Sequence, residues 1–231
     1  MARKPHGIVP KVAVIYVGYP KSGKDTQTEP LEALGEKVLV TGRHLKSLAK
    51  KHPHDERYKP ILVGELVNDP TTEWATKLWI YEMITMHPDH TRLHLNGVPR
   101  RWGQMGVITF LIERGYIIKV IWFTTPPSVC DQRIRAGRFE DENPDIVQNR
   151  ARVYAEETIP MRARFNELGI NIENGNLLEI DNTDLTREET AAQIIDFAGL
   201  PFKPHDMFPA AQSASKNASV QHSNSITLSP P

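Results

Sequence analysis

A glycine-rich segment near the N-terminus carries residues that are suited to binding phosphate. It runs from Gly18 to Thr26 and reads Gly-Tyr-Pro-Lys-Ser-Gly-Lys-Asp-Thr. Glycines let backbone N–H groups approach phosphate oxygens closely, and the start of a following helix adds about half a positive charge. Lys24 can supply a cation for the β- and γ-phosphates, and a hydroxyl at the end of the segment can reach Mg²⁺. The strict pattern has that hydroxyl directly after the lysine, whereas here Asp25 intervenes before Thr26.

The elements around this segment alternate between strands and helices. Apolar runs of strand length cover residues 12–17, 37–41, 91–96, 117–123 and 177–181. Helical patterns cover residues 73–86, 103–114, 145–168 and 187–197. Such alternation predicts an α/β protein with a parallel sheet that is covered by helices on both faces. Ligands of these sheets bind beyond the carboxyl ends of the strands, so we expect Gly18, Asn96 and Asn182 at one site.

Two of the predicted helices have features that the structure can test. The helix at residues 73–86 places Trp74, Leu78 and Tyr81 on one face. Pro30 stands about seven residues into the helix that follows the glycine-rich segment. A proline inside a helix costs about 3 kcal/mol unless the helix kinks or ends early. We therefore expect a bend between Thr26 and Pro30.

Composition excludes several classes of protein. Lys plus Arg and Asp plus Glu both number 28, so the chain lacks the overall basic charge that non-specific nucleic-acid binding uses. Its apolar stretches fall short of the roughly 20 residues of a membrane helix, and no signal-peptide core follows the N-terminus. One cysteine, Cys130, precludes an intrachain disulfide and a multi-cysteine zinc site. We expect a cytoplasmic protein with no nucleic-acid partner, no membrane partner and no zinc.

The ends of the chain differ in amino-acid composition from its middle. Residues 201–231 are rich in Ser, Asn, Ala and Pro and carry few charges, which predicts a disordered tail. Residues 1–10 form an N-terminal extension in this interpretation. Residues 11–200 then make up one domain.

Five segments resemble motifs of the adenylate kinase and nucleoside monophosphate kinase family. The first is the glycine-rich segment, since the phosphate loop of that family reads Gly-x-Pro-Gly-Ser-Gly-Lys-Gly-Thr-Gln. That family also has one residue between the lysine and the threonine. The other segments follow in the family's order: Thr41-Gly42 with Leu45-Lys46, Gly64 to Val67, Leu95 to Arg100 with Gln104, and the run from Arg133 through Gly137-Arg138 and Arg150 to Pro160. Together they cover about residues 10–198.

The resemblance implies a specific architecture. It is a P-loop NTPase-type three-layer αβα fold with a central, mostly parallel five-stranded sheet. A helical insertion at about residues 41–72 binds the acceptor, and a lid lies at about residues 133–145. Only 16 residues separate Arg133 from Arg150, which leaves room for a short lid and none for an inserted, zinc-binding one. We expect a monomer, as is usual for short-lid relatives.

The resemblance also implies an activity and a set of site residues. The activity is Mg²⁺-dependent phosphoryl transfer from ATP to a nucleoside monophosphate, with AMP the leading acceptor. The catalytic residues are Lys24, Arg100, Arg138 and Arg150. The ATP-binding residues are Gly18, Tyr19, Pro20, Lys21, Ser22, Gly23, Lys24, Asp25, Thr26, Arg133 and Asn182. The acceptor-binding residues are Thr41, Gly42, Lys46, Glu65, Leu66, Val67, Gly97, Arg100 and Gln104. The residues that hold Mg²⁺ through water are Thr26 and Asn96.

Several of these residues have individual roles in the resemblance. Arg138 and Arg150 close over the transferring phosphoryl group. Arg133 lies against the donor nucleotide, and Arg100 holds the acceptor phosphate. Gln104 offers a donor and an acceptor together, as an adenine edge does, and it goes with adenine acceptors in the family.

Three positions depart from the family pattern and keep alternatives open. Asp25 replaces a glycine, although phage deoxynucleoside monophosphate kinases also show Ser-Gly-Lys-Asp-Thr. Lys46 replaces an arginine, and Asn96 replaces the aspartate that orders water around Mg²⁺. One alternative is a kinase for UMP, CMP or a deoxynucleoside monophosphate, and another is a nucleotide-binding module with little catalysis. A third is a kinase for a small non-nucleotide substrate, against which the segment from Gly64 to Val67 and Gln104 argue.

Overall fold

All strands of the described chain form one parallel sheet. The computed structural model describes residues 9–133 and 143–209. Its strands are β1 (Lys11–Gly18), β2 (Val38–Val40), β3 (Arg92–Asn96), β4 (Tyr116–Phe123) and β5 (Leu177–Ile180). They lie in the order β2-β3-β1-β4-β5, and each pairing between neighbours is parallel. This confirms the predicted α/β fold with a parallel five-stranded sheet.

Helices cover both faces of this sheet. They are α1 (Lys24–Ala33), α2 (Thr41–Lys51), α3 (Lys59–Leu62), α4 (Asp69–Met86), α5 (Gly106–Ile112), α6 (Pro127–Gln132), α7 (Pro144–Val153), α8 (Met161–Glu167), α9 (Arg187–Ala198) and α10 (Pro204–Met207). Short 3₁₀ turns lie at Glu56–Tyr58 and Trp102–Gln104, and a π-helical turn lies at Tyr154–Thr158.

Successive residues of β1 point into two different hydrophobic cores. Ile15 belongs to a first core that also contains Leu111 of α5 and Phe165 of α8. Val14 belongs to a second core on the other face, with Leu31 of α1 and Ile194 of α9 among its members. A strand that is buried on both faces reads as a continuous apolar run, which is why the sequence marked it clearly.

The segment between β2 and β3 has a small core of its own. It is built from α2, α3 and the start of α4, and its buried members are Leu45, Ala49, Tyr58, Ile61, Val67 and Ala75. A separate core fits the predicted helical insertion at about residues 41–72. The division of the chain into these units stays a prediction.

Helix α4 differs from its predicted form in its start and in the face that it buries. It begins at Asp69, four residues before the predicted start, because the Asn68 side chain accepts a hydrogen bond from the Thr71 amide at 2.9 Å. Trp74 and Tyr81, on the predicted apolar face, are 48% and 58% exposed. The buried face carries Thr71, Thr72, Ala75, Thr76 and Ile80 instead.

Two further boundaries differ from the sequence-based expectation. The helical pattern at residues 145–168 is divided by the π-helical turn, and α8 begins after Pro160. Helix α1 includes Pro30 and ends at Ala33, within one turn of it, so the bend between Thr26 and Pro30 stays a prediction.

The folded region also extends past residue 200, where we expected a disordered tail. Met207 of α10 is buried in the second core, and Phe202 and Phe208 pack against it. Residues 201–209 therefore pack against the domain through apolar side chains. Residues 210–231 lie outside the described residues. Within the described ranges, no helix is both long and apolar enough to cross a membrane.

Candidate active site

A cavity of about 1110 Å³ opens at the carboxyl edge of the sheet. Its wall includes Gly18 at the end of β1, Val40 at the end of β2, and Asn96 at the end of β3. Asn182, two residues after β5, also lines it. The structure thus brings together the strand ends that the sequence singled out, at the edge where parallel α/β sheets bind ligands.

The ammonium group of Lys24 is surrounded by oxygens of the glycine-rich segment. Its Nζ donates to the Gly18 carbonyl at 2.8 Å, the Tyr19 carbonyl at 2.7 Å and the Ser22 hydroxyl at 3.0 Å. Burial, and then the positive charge of Arg100, lower the pKa of Lys24 to about 8. The Lys24 ammonium is therefore a cation that is enclosed by the glycine-rich segment.

The end of β5 is tied to the same loop through Asn182. The Asn182 side-chain nitrogen donates to the Ser22 carbonyl at 2.9 Å. Its side-chain oxygen accepts from Thr125 Oγ1 at 2.7 Å and from Arg133 Nη1 at 2.9 Å, and Arg133 Nη2 donates to the Asn182 carbonyl at 3.0 Å. Gly23 has a φ of 95° there, and a Cβ at Gly23 would lie 2.8 Å from Asn182 Nδ2. Two residues assigned to ATP binding, Arg133 and Asn182, therefore contact each other.

Asp25 and Asn96, two of the three departures from the family pattern, are hydrogen-bonded to each other. Asn96 Nδ2 donates to Asp25 Oδ1 at 2.8 Å and to Thr28 Oγ1 at 2.9 Å. The backbone carbonyl of Asn96 accepts from Thr41 Oγ1 at 3.0 Å. Thr26 is exposed and lines the cavity beside them.

Arginines provide further positive charge in the cavity. Arg100 and Arg150 both line it. Burial and the charge of Arg150 lower the pKa of Arg100, while Asp25 opposes that shift. Arg100 Nη2 lies so near Gly97 that a Cβ there would be 2.7 Å from it. Arg138, the fourth predicted catalytic residue, lies outside the described residues, as does most of the predicted lid.

Two contacts hold the segment after α7 against the cavity. Tyr154 packs edge to face on Tyr19, with ring centroids 5.2 Å apart and planes at 88°. Thr158 Oγ1 donates to the Arg100 carbonyl at 2.6 Å. The backbone of Arg100 is thus held by Thr158 on one side.

Gln104 holds the other side of Arg100 and does not line the cavity. Its side-chain oxygen accepts from the Arg100 amide at 2.8 Å, and its side-chain nitrogen donates to Asp69 Oδ1 at 2.8 Å. Gln104 is buried, and these contacts engage both ends of its amide. The reading of an adenine base by Gln104 stays a prediction.

The predicted residues separate into those that line the cavity and those behind its wall. Lining it are Gly18, Pro20, Lys21, Gly23, Lys24, Asp25, Thr26, Gly42, Lys46, Glu65, Leu66, Asn96, Gly97, Arg100, Arg133, Arg150 and Asn182. The described residues Tyr19, Ser22, Thr41, Val67 and Gln104 are predicted site residues that are not among those lining it. The sequence interpretation missed Arg43, Ser47 and Lys50. Together with Lys46 they follow helical spacing along one face of α2, a signal that could have identified them.

The oxygen atoms around Thr26 suit a magnesium ion bound with nucleotide phosphates. Asp25 offers a carboxylate, Thr26 a hydroxyl and Asn96 an amide oxygen. In the ranges 9–133 and 143–209, no group of three or more His, Cys, Asp or Glu side chains could hold a metal. Mg²⁺ usually binds through one or two carboxylates together with substrate phosphates and waters rather than in such a cage. The residues present therefore fit that ion.

A parallel sheet of this strand order, with a glycine-rich loop after its central strand, defines a P-loop NTPase-type α/β protein. No family model matches the chain. An adenylate kinase of Thermus thermophilus is 32% identical over 167 residues, which cover 68% of this chain and 85% of the relative. One of Xylella fastidiosa is 30% identical over 168 residues, covering 68% and 87%, and one of Parasynechococcus marenigrum is 29% identical over 178 residues, covering 74% and 94%. The chain belongs to the adenylate kinase family. This membership supports nucleotide phosphoryl transfer as its general activity.

Proposed function

We propose that the chain transfers the γ-phosphoryl group of ATP to a nucleoside monophosphate in a Mg²⁺-dependent reaction, with AMP as the leading acceptor (ATP + AMP = 2 ADP). The observation that carries this proposal is the convergence of Lys24, Arg100 and Arg150 on one cavity. Phosphoryl transfer needs positioning and charge neutralisation more than covalent chemistry by the protein.

On the donor side, the chain supplies the loop and its lysine. The start of α1 and Lys24 line the side of the cavity where the β- and γ-phosphates would bind, and the Lys24 ammonium would exchange loop oxygens for phosphate oxygens there. Arg133 and Asn182 brace the loop from the end of β5. Mg²⁺ would be held beside the phosphates by Thr26 and Asn96 through water, and it would neutralise charge on the β- and γ-oxygens.

On the acceptor side, Arg100 is the residue suited to the monophosphate. A guanidinium can make two parallel hydrogen bonds to a phosphate, and the backbone of Arg100 is fixed by Gln104 and Thr158. Lys46 adds a point charge from α2, and Glu65 and Leu66 line the same wall. Arg150 would neutralise charge between donor and acceptor.

We also propose that the enzyme is monomeric, which light scattering after size-exclusion chromatography tests.

Asp25 supports a second candidate, a nucleotide-binding module with little catalysis. Its carboxylate follows Lys24 directly and lines the phosphate side of the cavity, where it repels phosphate oxygens. Other acceptors, such as UMP, CMP or a deoxynucleoside monophosphate, are variants of the first candidate.

A coupled assay for ADP formation tests these alternatives. It uses purified protein, Mg·ATP and a panel of AMP, GMP, CMP, UMP, dAMP and dTMP, with Lys24→Met as the blank. Turnover that is strongest with AMP supports the proposal, and strong turnover with another acceptor replaces AMP by that substrate. ATP binding without turnover on any acceptor would favour the binding module.

A further inference from the structure

Asp25 occupies a position with a defined use in phosphate loops. In the strict pattern, the residue directly after the loop lysine carries the hydroxyl that contacts Mg²⁺. Here that residue is Asp25, which lines the cavity next to Thr26. A carboxylate is a stronger ligand for a hard cation than a hydroxyl, so its placement favours the metal while disfavouring bare phosphate.

The contact with Asn96 fixes where this carboxylate lies. The side-chain nitrogen of Asn96 donates both of its protons, one to Asp25 Oδ1 at 2.8 Å and one to Thr28 Oγ1 at 2.9 Å. Asn96 is 2% exposed and ends β3, so it is a rigid support. Asp25 is thereby held between the loop and the end of the neighbouring strand.

The same contact explains why position 96 carries an amide. An aspartate there would place its carboxylate within about 3 Å of the Asp25 carboxylate, and two such groups cannot both stay ionised. An asparagine of the same size donates a hydrogen bond instead. The two residues therefore form one carboxylate–amide pair that contains a single negative charge.

We propose that Asp25 supplies the carboxylate that contacts the Mg²⁺ of the bound nucleotide, directly or through one water, and that Asn96 holds this carboxylate in place. This inference rests on the proposed function, since it concerns the metal of the same reaction. The charge of Asp25 raises the pKa of Lys24 and of Arg100 against the lowering effect of burial, which shows that the carboxylate lies beside the cations that would bind the phosphates. A carboxylate at this position makes nucleotide binding depend strongly on the metal.

The test measures metal affinity rather than turnover. Bound Mn²⁺ is followed by electron paramagnetic resonance in the presence of the non-hydrolysable analogue AMP-PNP, and AMP-PNP affinity is measured by calorimetry with Mg²⁺ or with EDTA. We expect Asp25→Asn to weaken Mn²⁺ binding at least tenfold, while AMP-PNP in EDTA binds as tightly as to wild type or more tightly. Glu29→Gln is the matched control, since Glu29 is one turn further along α1, is exposed and also lines the cavity.

A double variant tests the pair. Asp25→Asn with Asn96→Asp exchanges the carboxylate and the amide, and we expect it to recover Mn²⁺ affinity to within threefold of wild type. Mn²⁺ affinity of Asp25→Asn within twofold of wild type would overturn the role of Asp25. Weak Mn²⁺ binding in both variants would overturn the pairing with Asn96. Wild-type protein that binds no AMP-PNP would remove the proposed function as well, so the two failures are distinguishable.

Discussion

Arg92 and Glu36 form a forked ion pair that joins β3 to the segment before β2. Arg92 Nε lies 3.2 Å from each Glu36 carboxylate oxygen, and Arg92 Nη2 lies 2.6 Å from Oε1. The Glu36 side chain is only 3% exposed. His94 Nε2 is 3.3 Å from Glu36 Oε2, and the other ring nitrogen of His94 is 2.9 Å from the Tyr16 hydroxyl. A buried polar network thus runs beneath the cavity, since Tyr16 lines it.

This network predicts a loss of stability in acid. Burial by itself raises the pKa of Glu36, but hydrogen bonds from His94 and Arg92 and their charges outweigh it and lower the pKa from 4.5 to about 2. Because the pKa of Glu36 is lower in the folded than in the unfolded state, its ionised carboxylate contributes to the free energy of unfolding. This contribution is complete above the unfolded-state pKa and is lost as pH falls towards 2. Its size is about 3 kcal/mol at pH 7, of which about 2 kcal/mol is lost by pH 3.

Urea unfolding of wild type and Glu36→Gln at pH 7 and pH 3 checks this expectation. The stability difference between the two proteins should shrink by about 2 kcal/mol in acid, because glutamine does not titrate. Comparing the two proteins removes the contributions of all other carboxylates. A difference that stays constant between the two pH values would contradict the assigned pKa.

Lys24→Met should lower turnover about 100- to 1000-fold while the fold is retained, because it removes a cation that acts on transferring charge. Steady-state rates with Mg·ATP and the best acceptor measure the effect, and thermal unfolding checks the fold. Lys51→Met is the matched control, since Lys51 is exposed and is not among the residues lining the cavity. Undiminished turnover of Lys24→Met would refute the role of Lys24.

Arg100→Ala should raise the KM of the acceptor about 10- to 100-fold, which corresponds to the loss of a charge-assisted hydrogen bond to phosphate. The KM of ATP should change much less, because Lys24 and the loop serve the donor. Arg114→Ala controls for the loss of an arginine away from the cavity lining. An unchanged acceptor KM in Arg100→Ala would rule out its proposed role.

Gly23→Ala should destabilise the protein and weaken AMP-PNP binding, because its φ of 95° is strained for alanine and a Cβ would lie 2.8 Å from Asn182 Nδ2. Gly35→Ala is a close control, since Gly35 has a φ of 90° and nothing within 4 Å of an added Cβ. Both variants should lose about 1–2 kcal/mol to the backbone strain. Denaturant unfolding and calorimetry compare them, and equal AMP-PNP affinities would show that the Asn182 contact does not matter for the loop.

Features that are local in the sequence could be predicted from it. The strands were recognisable because a central parallel strand such as β1 is buried on both faces and therefore continuously apolar. The glycine-rich loop was recognisable because its glycines and Lys24 lie within a few positions of one another. Helix α4 was harder, since Thr72 and Thr76 sit on its buried face, where Thr76 Oγ1 donates to the Thr72 carbonyl at 2.8 Å. Such an internal bond makes a polar residue tolerable in a core and hides the periodicity.

Relationships between distant positions could not be predicted. Asp25 and Asn96 are 71 residues apart, and the sequence shows them as two separate departures rather than as one hydrogen-bonded pair. Gln104 likewise reads as a base-contacting amide, whereas its backbone contact to Arg100 and its bond to Asp69 follow only from the packing of the 3₁₀ turn against α4. Pairwise geometry of this kind arises from the tertiary fold and leaves no local pattern.

The strand order also sets the sequence of events during synthesis. Of the five described strands β1 leaves the ribosome before the others, yet its partners are β3 and β4, at residues 92–96 and 116–123. Both edges of β1 stay unpaired until those segments emerge, and pairing over such separations is slow. Asn182, which holds the Ser22 carbonyl, arrives later still. The phosphate loop is therefore made before β3, β4 and β5, and its contact with Asn182 forms only after all three have been made.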